Sequence, residues 1–120
     1  MPGFQRGTIS AVEIRDTHPH KVSGGGMETT EYRVAVEAWL LGGLAVHRGV
    51  RAQDKGQWVI THIASGLGVV DGFHSCAGAK AAALDLLGLI DWTKSAGEVM
   101  ALIRPLYKNV VYVKEKWRLK

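Results

Sequence analysis

Alternation of apolar and polar positions governs the first two-thirds of the chain. Thr8-Ile9-Ser10-Ala11-Val12-Glu13-Ile14 is partly alternating and rich in β-branched residues, the pattern of a half-buried strand. From Tyr32 to Leu40 the pattern returns, with Tyr32, Val34, Val36 and Ala38 on one face and Arg33, Ala35, Glu37 and Trp39 on the other. Gly42-Gly43 marks a hairpin, since glycine accepts the positive φ such turns need. Leu44 to Arg51, Trp58 to Ala64 and Leu67 to Phe73 follow as strands, separated by Asp54-Lys55-Gly56 and Ser65-Gly66. Links this short make successive strands antiparallel neighbours. The one linker-like passage is Thr17 to Thr30, where Pro19 and three consecutive glycines predict a flexible loop.

After Phe73 the period changes from 2 to 3.6. Cys76, Ala79, Ala83, Leu86, Leu87 and Ile90 fall on one stripe, with Ser75 placed as N-cap. Three adjacent alanines would let this helix approach the sheet closely. Ser95-Ala96-Gly97-Glu98 has capping-box spacing, in which each side chain satisfies the other's free backbone N–H. Val99, Leu102, Ile103 and Leu106 form the stripe of this second helix, and Pro105 limits it. Asn109 to Trp117 returns to β-type residues. The expected fold is a single α+β domain spanning 1–120. It is an antiparallel β-meander of four to five strands packed by one or two helices, with a C-terminal extended segment (109–120, a basic strand or tail).

Composition adds little until charge is mapped along the chain. With 47% hydrophobic and 22% charged residues the chain is of the globular class. One cysteine excludes an internal disulfide, and no apolar run approaches the ~20 residues that span a bilayer. The N-terminus has no apolar core of signal-peptide length, so a cytoplasmic protein with no membrane partner is expected. The net charge of +4 is uneven. Residues 1–103 hold nine Lys/Arg against ten Asp/Glu, giving −1, whereas residues 104–120 hold six against one, giving +5. In an extended segment Lys114, Lys116, Arg118 and Lys120 would share one face, ~7 Å apart. That is close to phosphate spacing along one nucleic-acid strand, and such a row gains affinity through counterion release. The same row also reads as a charged edge strand that resists aggregation, or as a frayed tail.

A second set of candidates lies in His47-Arg48-Gly49-Val50-Arg51 and the strand after it. Arg48, Arg51, Lys55 and Trp58 combine guanidinium, ammonium and aromatic groups on a sheet, which suits stacking or base-edge contact. These residues, with Gly56-Gln57-Trp58-Val59, Gly72-Phe73 and an alanine-rich helix through Ala79, Ala81 and Ala82, resemble the AP2/ERF and integrase arm-type DNA-binding domains. Those domains place three antiparallel strands before one helix and read the major groove with the sheet. Val69-Val70-Asp71 stands where the family has Trp-Leu-Gly, and two extra strands come first. The resemblance covers about 40 residues and implies that Arg48, Arg51 and Trp58 face DNA.

Other chemistry is thin. Cys76 beside His74 has the makings of a nucleophile and base, yet Cys76 also falls on the apolar stripe. His18 and His20, with His62, His74 and Cys76, lack metal-ligand spacing, and Ser65-Gly66-Leu67-Gly68 lacks the Lys-Ser/Thr of a phosphate loop. No carboxylate pair is placed for acid–base work. No catalytic residue, metal site or cofactor is therefore expected. The expected function is a small non-enzymatic nucleic-acid-binding protein, DNA favoured over RNA, using Arg48, Arg51, Lys55, Trp58, Lys114, Lys116, Arg118 and Lys120. The rival is a protein-interaction or inhibitor module, for instance a homodimer through a sheet edge. In it the 17–30 loop and the Trp39 region would be contact surfaces.

Overall fold

A computed structural model describes residues 3–21, 27–49 and 56–120. Five strands, β1 (Gln5–Lys21), β2 (Met27–Leu41), β3 (Leu44–Arg48), β4 (Trp58–His62) and β5 (Gly68–Phe73), form one antiparallel sheet in chain order. Helices α1 (Cys76–Leu87), α2 (Ala96–Ile103) and α3 (Tyr107–Trp117) follow, the last two joined by a 3₁₀ turn over Arg104–Leu106. The α+β meander expected from the period change is the observed architecture.

The sheet buries its two faces differently. Leu44, Val46 and Ile60 alternate onto the face that α1 covers, where they meet Phe73, Ala79, Ala82, Ala83 and Leu86. The small alanine side chains let the α1 backbone come close, as their spacing implied. Ser75 caps α1, its Oγ accepting from Gly78 N–H at 3.0 Å. Ser95 Oγ caps α2 by accepting from Glu98 N–H at 3.4 Å, and it donates to Glu98 Oε1 at 3.0 Å. The Glu98 carboxylate thus meets the Ser95 hydroxyl where the box predicted the Ser95 backbone N–H. On the opposite face, Ile9, Ala11, Ala38 and Ala45 form a second core. There β1 curls toward the β4–β5 turn, and Val12 N–H donates to the Gly66 carbonyl at 2.7 Å. Gly66 sits at φ +74°, and any Cβ there would collide with the Ser10 carbonyl.

Two polar residues tie the α1–α2 connection to the sheet. Trp92, fully enclosed, donates its indole N–H to Leu86 O at 2.7 Å. His62 points its Nε2 at the carbonyls of Trp92 and Lys94, both at 3.0 Å. Carbonyls only accept, so Nε2 carries the proton and Nδ1 accepts from Ser65 Oγ at 2.9 Å.

Two expectations need correcting. Strand pairing runs well into the 17–30 stretch, through Asp16↔Thr29 and again at Lys21↔Met27, with a register shift between. Pro19 is tolerated because β1 is an edge strand and Pro19 lies where the register slips, so no ladder donor is required of it. Residues 22–26 of the expected loop lie outside the described residues. More consequentially, 109–120 is not an extended segment, because Tyr107–Trp117 is the helix α3. Val110, Val111 and Val113 suggested a strand, but Val110, Val113 and Trp117 recur at helical spacing and pack against the main core. Burial of that stripe overrides the weak helix propensity of valine.

Asp85, the one acid within α1, holds α3 in place. Trp117 Nε1 donates to its Oδ2 at 2.7 Å, and Lys116 Nζ lies 3.6 Å from the same oxygen. Trp117→Phe should lower stability by about 1.5–3 kcal/mol, because a charge-assisted bond is lost while most packing remains. Lys116→Ala should cost less than about 1 kcal/mol, as an exposed pair does. Urea unfolding of both variants checks the contrast.

Candidate functional site

Helix formation takes the C-terminal cations apart. Residues two apart on a helix are turned about 200° from each other, so a period-2 row splits into two flanks. Lys114 and the C-cap Arg118 lie on one flank and Lys116 on the other, while Lys120 lies beyond the end of α3. Each of the first three meets an acid of the protein itself. Lys114 Nζ is 3.3 Å from Asp71, Lys116 pairs with Asp85, and Arg118 Nε is 3.7 Å from Glu115. Lys114 and Lys116 occupy the last turn of α3, where positive charge favours the helix dipole. Three of the six cations in the +5 segment thus have a structural partner.

Arg48 and Trp58 are brought together. They are cross-strand partners, and the Arg48 guanidinium lies 5.2 Å from the Trp58 ring centroid. Trp58 packs partly against the core while Arg48 is exposed. Arg51 and Lys55 lie outside the described residues. The Trp39 region presents no bare apolar patch: Trp39 packs on the core beneath Lys80, whose Nζ is 3.8 Å from its ring, and Arg6 at 4.8 Å. His74 is exposed, and Cys76 packs against the core as a small hydrophobe. Among the described residues no three His, Cys, Asp or Glu side chains converge on a metal-sized site. The side chains of His18 and His20 lie outside the described set. No helix among the described residues is long and apolar enough to cross a membrane.

A feature the sequence did not disclose is a cleft of about 530 Å³ lined by β1, β3–β5 and α3. Ala11 and Val12 form one wall, Val59 and Val70 the back, and Tyr107 and Val111 the α3 side. Asp71, Lys114 and Glu115 stand at its border, and His47 and Thr61 supply its buried polar part. His47 Nδ1 is 2.7 Å from the Arg48 carbonyl, and Nε2 is 2.7 Å from Thr61 Oγ1. The carbonyl can only accept, so the neutral ring carries its proton on Nδ1 and takes the Thr61 hydroxyl proton at Nε2. Burial holds the His47 pKa below the ordinary imidazole range, and the bond to the Arg48 carbonyl opposes that shift. The available signal was register: Ala45 and His47 on β3 share a face with Val59 and Thr61 on β4, leaving two polar groups among small apolar ones. Helicity of 107–117, which builds the remaining wall, was the part not read.

No family model, curated protein or solved structure matches this chain.

The His47 environment generates a pH prediction. Its folded-state pKa lies below the unfolded value of 6.5. As pH falls through the window between these values, the unfolded state binds the extra proton and stability declines. Urea unfolding near pH 7.5 and near pH 5.5 should show a larger loss for the wild type than for His47→Gln, whose amide does not titrate. Equal losses would remove His47 as the group responsible.

Proposed function

We propose that the protein is a non-enzymatic protein-interaction module that works as a homodimer, its projecting β1–β2 arms pairing edge to edge. The observation that carries this reading is the shape of the sheet. β3 pairs with β2 only from Trp39↔Val46 to Leu41↔Leu44, whereas β1 and β2 continue as a two-stranded ribbon to Lys21↔Met27. From Glu13 to Lys21, nine residues at ~3.3 Å each, the ribbon reaches roughly 30 Å past the Val12–Gly66 bond. The molecule measures 53 × 30 × 25 Å accordingly. A two-stranded ribbon is marginal alone in water, and the outer edge of β1 offers a row of backbone donors and acceptors for another strand. A second copy brings the same edge, and a two-fold axis lets both arms satisfy each other at once.

Charge favours protein over nucleic acid as the partner. Residues 13–32 hold Arg15 and Lys21 against Glu13, Asp16, Glu28 and Glu31, or 2 − 4 = −2. An acidic arm repels phosphates, and Lys114, Lys116 and Arg118 point to different sides and meet the protein's own acids. Arg48 (over Trp58), Arg104 and Lys108 are exposed on separate elements and form no row, too little for tight counterion-driven binding.

Light scattering across a wide concentration range should give a mass twice the 13.0 kDa of one chain. Residues Asp16 and Thr29 are paired, so replacing 17–28 with Asn-Gly closes a shorter hairpin. That variant should keep its circular dichroism and become monomeric. A wild type that stays monomeric and binds labelled DNA or RNA with a steep salt dependence would overturn the proposal in favour of nucleic acid.

A further inference from the structure

The cleft beside α3 is independent of the arm and has its own chemistry. We propose that it is a binding pocket for a compact apolar molecule ending in one hydrogen-bond donor, such as a phenol, and carrying no negative charge.

Size comes first. A half-open cleft of about 530 Å³ lies beside a buried polar pair, within the ~300–1,000 Å³ usual for small-molecule sites. About half of the lining is apolar, made by Ala11, Val12, Val59, Val70 and Val111. That half favours a ring or a branched aliphatic body, and the polar half is left to a single polar end.

Polarity at the buried end is directional. The Nδ1 proton of His47 goes to the Arg48 carbonyl, which leaves Nε2 to receive the Thr61 hydroxyl proton. With its proton committed, Thr61 Oγ1 has only lone pairs to offer an arriving group. A donor is welcome there, and a second acceptor is not. Both members of the pair are satisfied without a ligand, so the pocket is preorganised before anything enters.

The border is ion-paired within itself: Asp71 meets Lys114 at 3.3 Å, and Glu115 meets Arg118 at 3.7 Å. The charge preference comes from the buried end, where an anionic ligand would lose its hydration and find only the lone pairs of Thr61 Oγ1. Tyr107, 68% exposed, offers its ring at the mouth as a lid surface for a ligand's outer edge.

The test is a methyl-selective NMR titration of the full chain with p-cresol, toluene and benzoate. Expected are saturable shifts at the methyls of Val59, Val70 and Val111 with p-cresol. Its affinity should exceed that of toluene about tenfold, the worth of one net hydrogen bond, and benzoate should bind more weakly than toluene. Thr61→Val removes the acceptor at nearly equal volume and should bring p-cresol down to the level of toluene. Because that change leaves His47 Nε2 without its donor, a second variant is placed on the exposed face of α3. Val111→Trp should fold as the wild type does and abolish binding of both neutral probes by filling the mouth. Absence of saturable shifts in the wild type, or equal affinity for p-cresol and toluene, overturns the assignment.

Discussion

Docking of the last helix is the constraint on which the rest of this structure depends. Val110, Val113 and Trp117 cover apolar surface left open by α1 and β5, and the Trp117 indole fixes the angle of approach by donating to Asp85. The end of the helix is then latched, since the Arg118 carbonyl accepts from His74 N–H and Ser75 Oγ donates to the Lys120 carbonyl. Three consequences follow from one packing event. The terminal cations are turned to different sides, three of them are handed to internal acids, and α3 becomes a wall of the cleft.

Much of the fold was legible because it is written in local periods. Alternation at Leu44–Arg48 and Trp58–His62, the glycine pair at Gly42-Gly43, the Ser75 cap and the Ser95–Glu98 box each depend on neighbours within a few residues. At Gly42 and Gly43 the backbone adopts φ of 58° and 90°, as the hairpin requires. Residues 107–117 were not legible for the opposite reason. Valine-rich at the start and lysine-rich at the end, they suit strand by local preference and helix by the 110–113–117 stripe. The decision belongs to distant partners, Asp85 and the α1 surface, which no short window contains.

The candidate site shows the same division. Arg48 and Trp58 were found together because both sit on adjacent strands of a readable hairpin. Arranging Lys114, Lys116, Arg118 and Lys120 as a row required an extended backbone, and the geometry failed with that premise. His47 and Thr61 share one face of the readable β3–β4 pairing, but nothing local marks the open volume beside them. Both are in fact satisfied, and their interest lies in the open volume beside them rather than in any unmet valence. The structure therefore divides its surfaces: a long acidic ribbon at one end, and a small half-apolar cleft under α3 at the other.

Because charge dispersal and the cleft wall both depend on α3, its backbone state is the most direct thing to measure. Cα chemical shifts and amide exchange over Tyr107–Trp117 in the intact chain decide it. Continuous helical shifts with slow exchange at Val113 and Trp117 are the predicted result. Extended or averaged shifts with rapid exchange would contradict the account, restore the aligned row of cations and remove the cleft's outer wall.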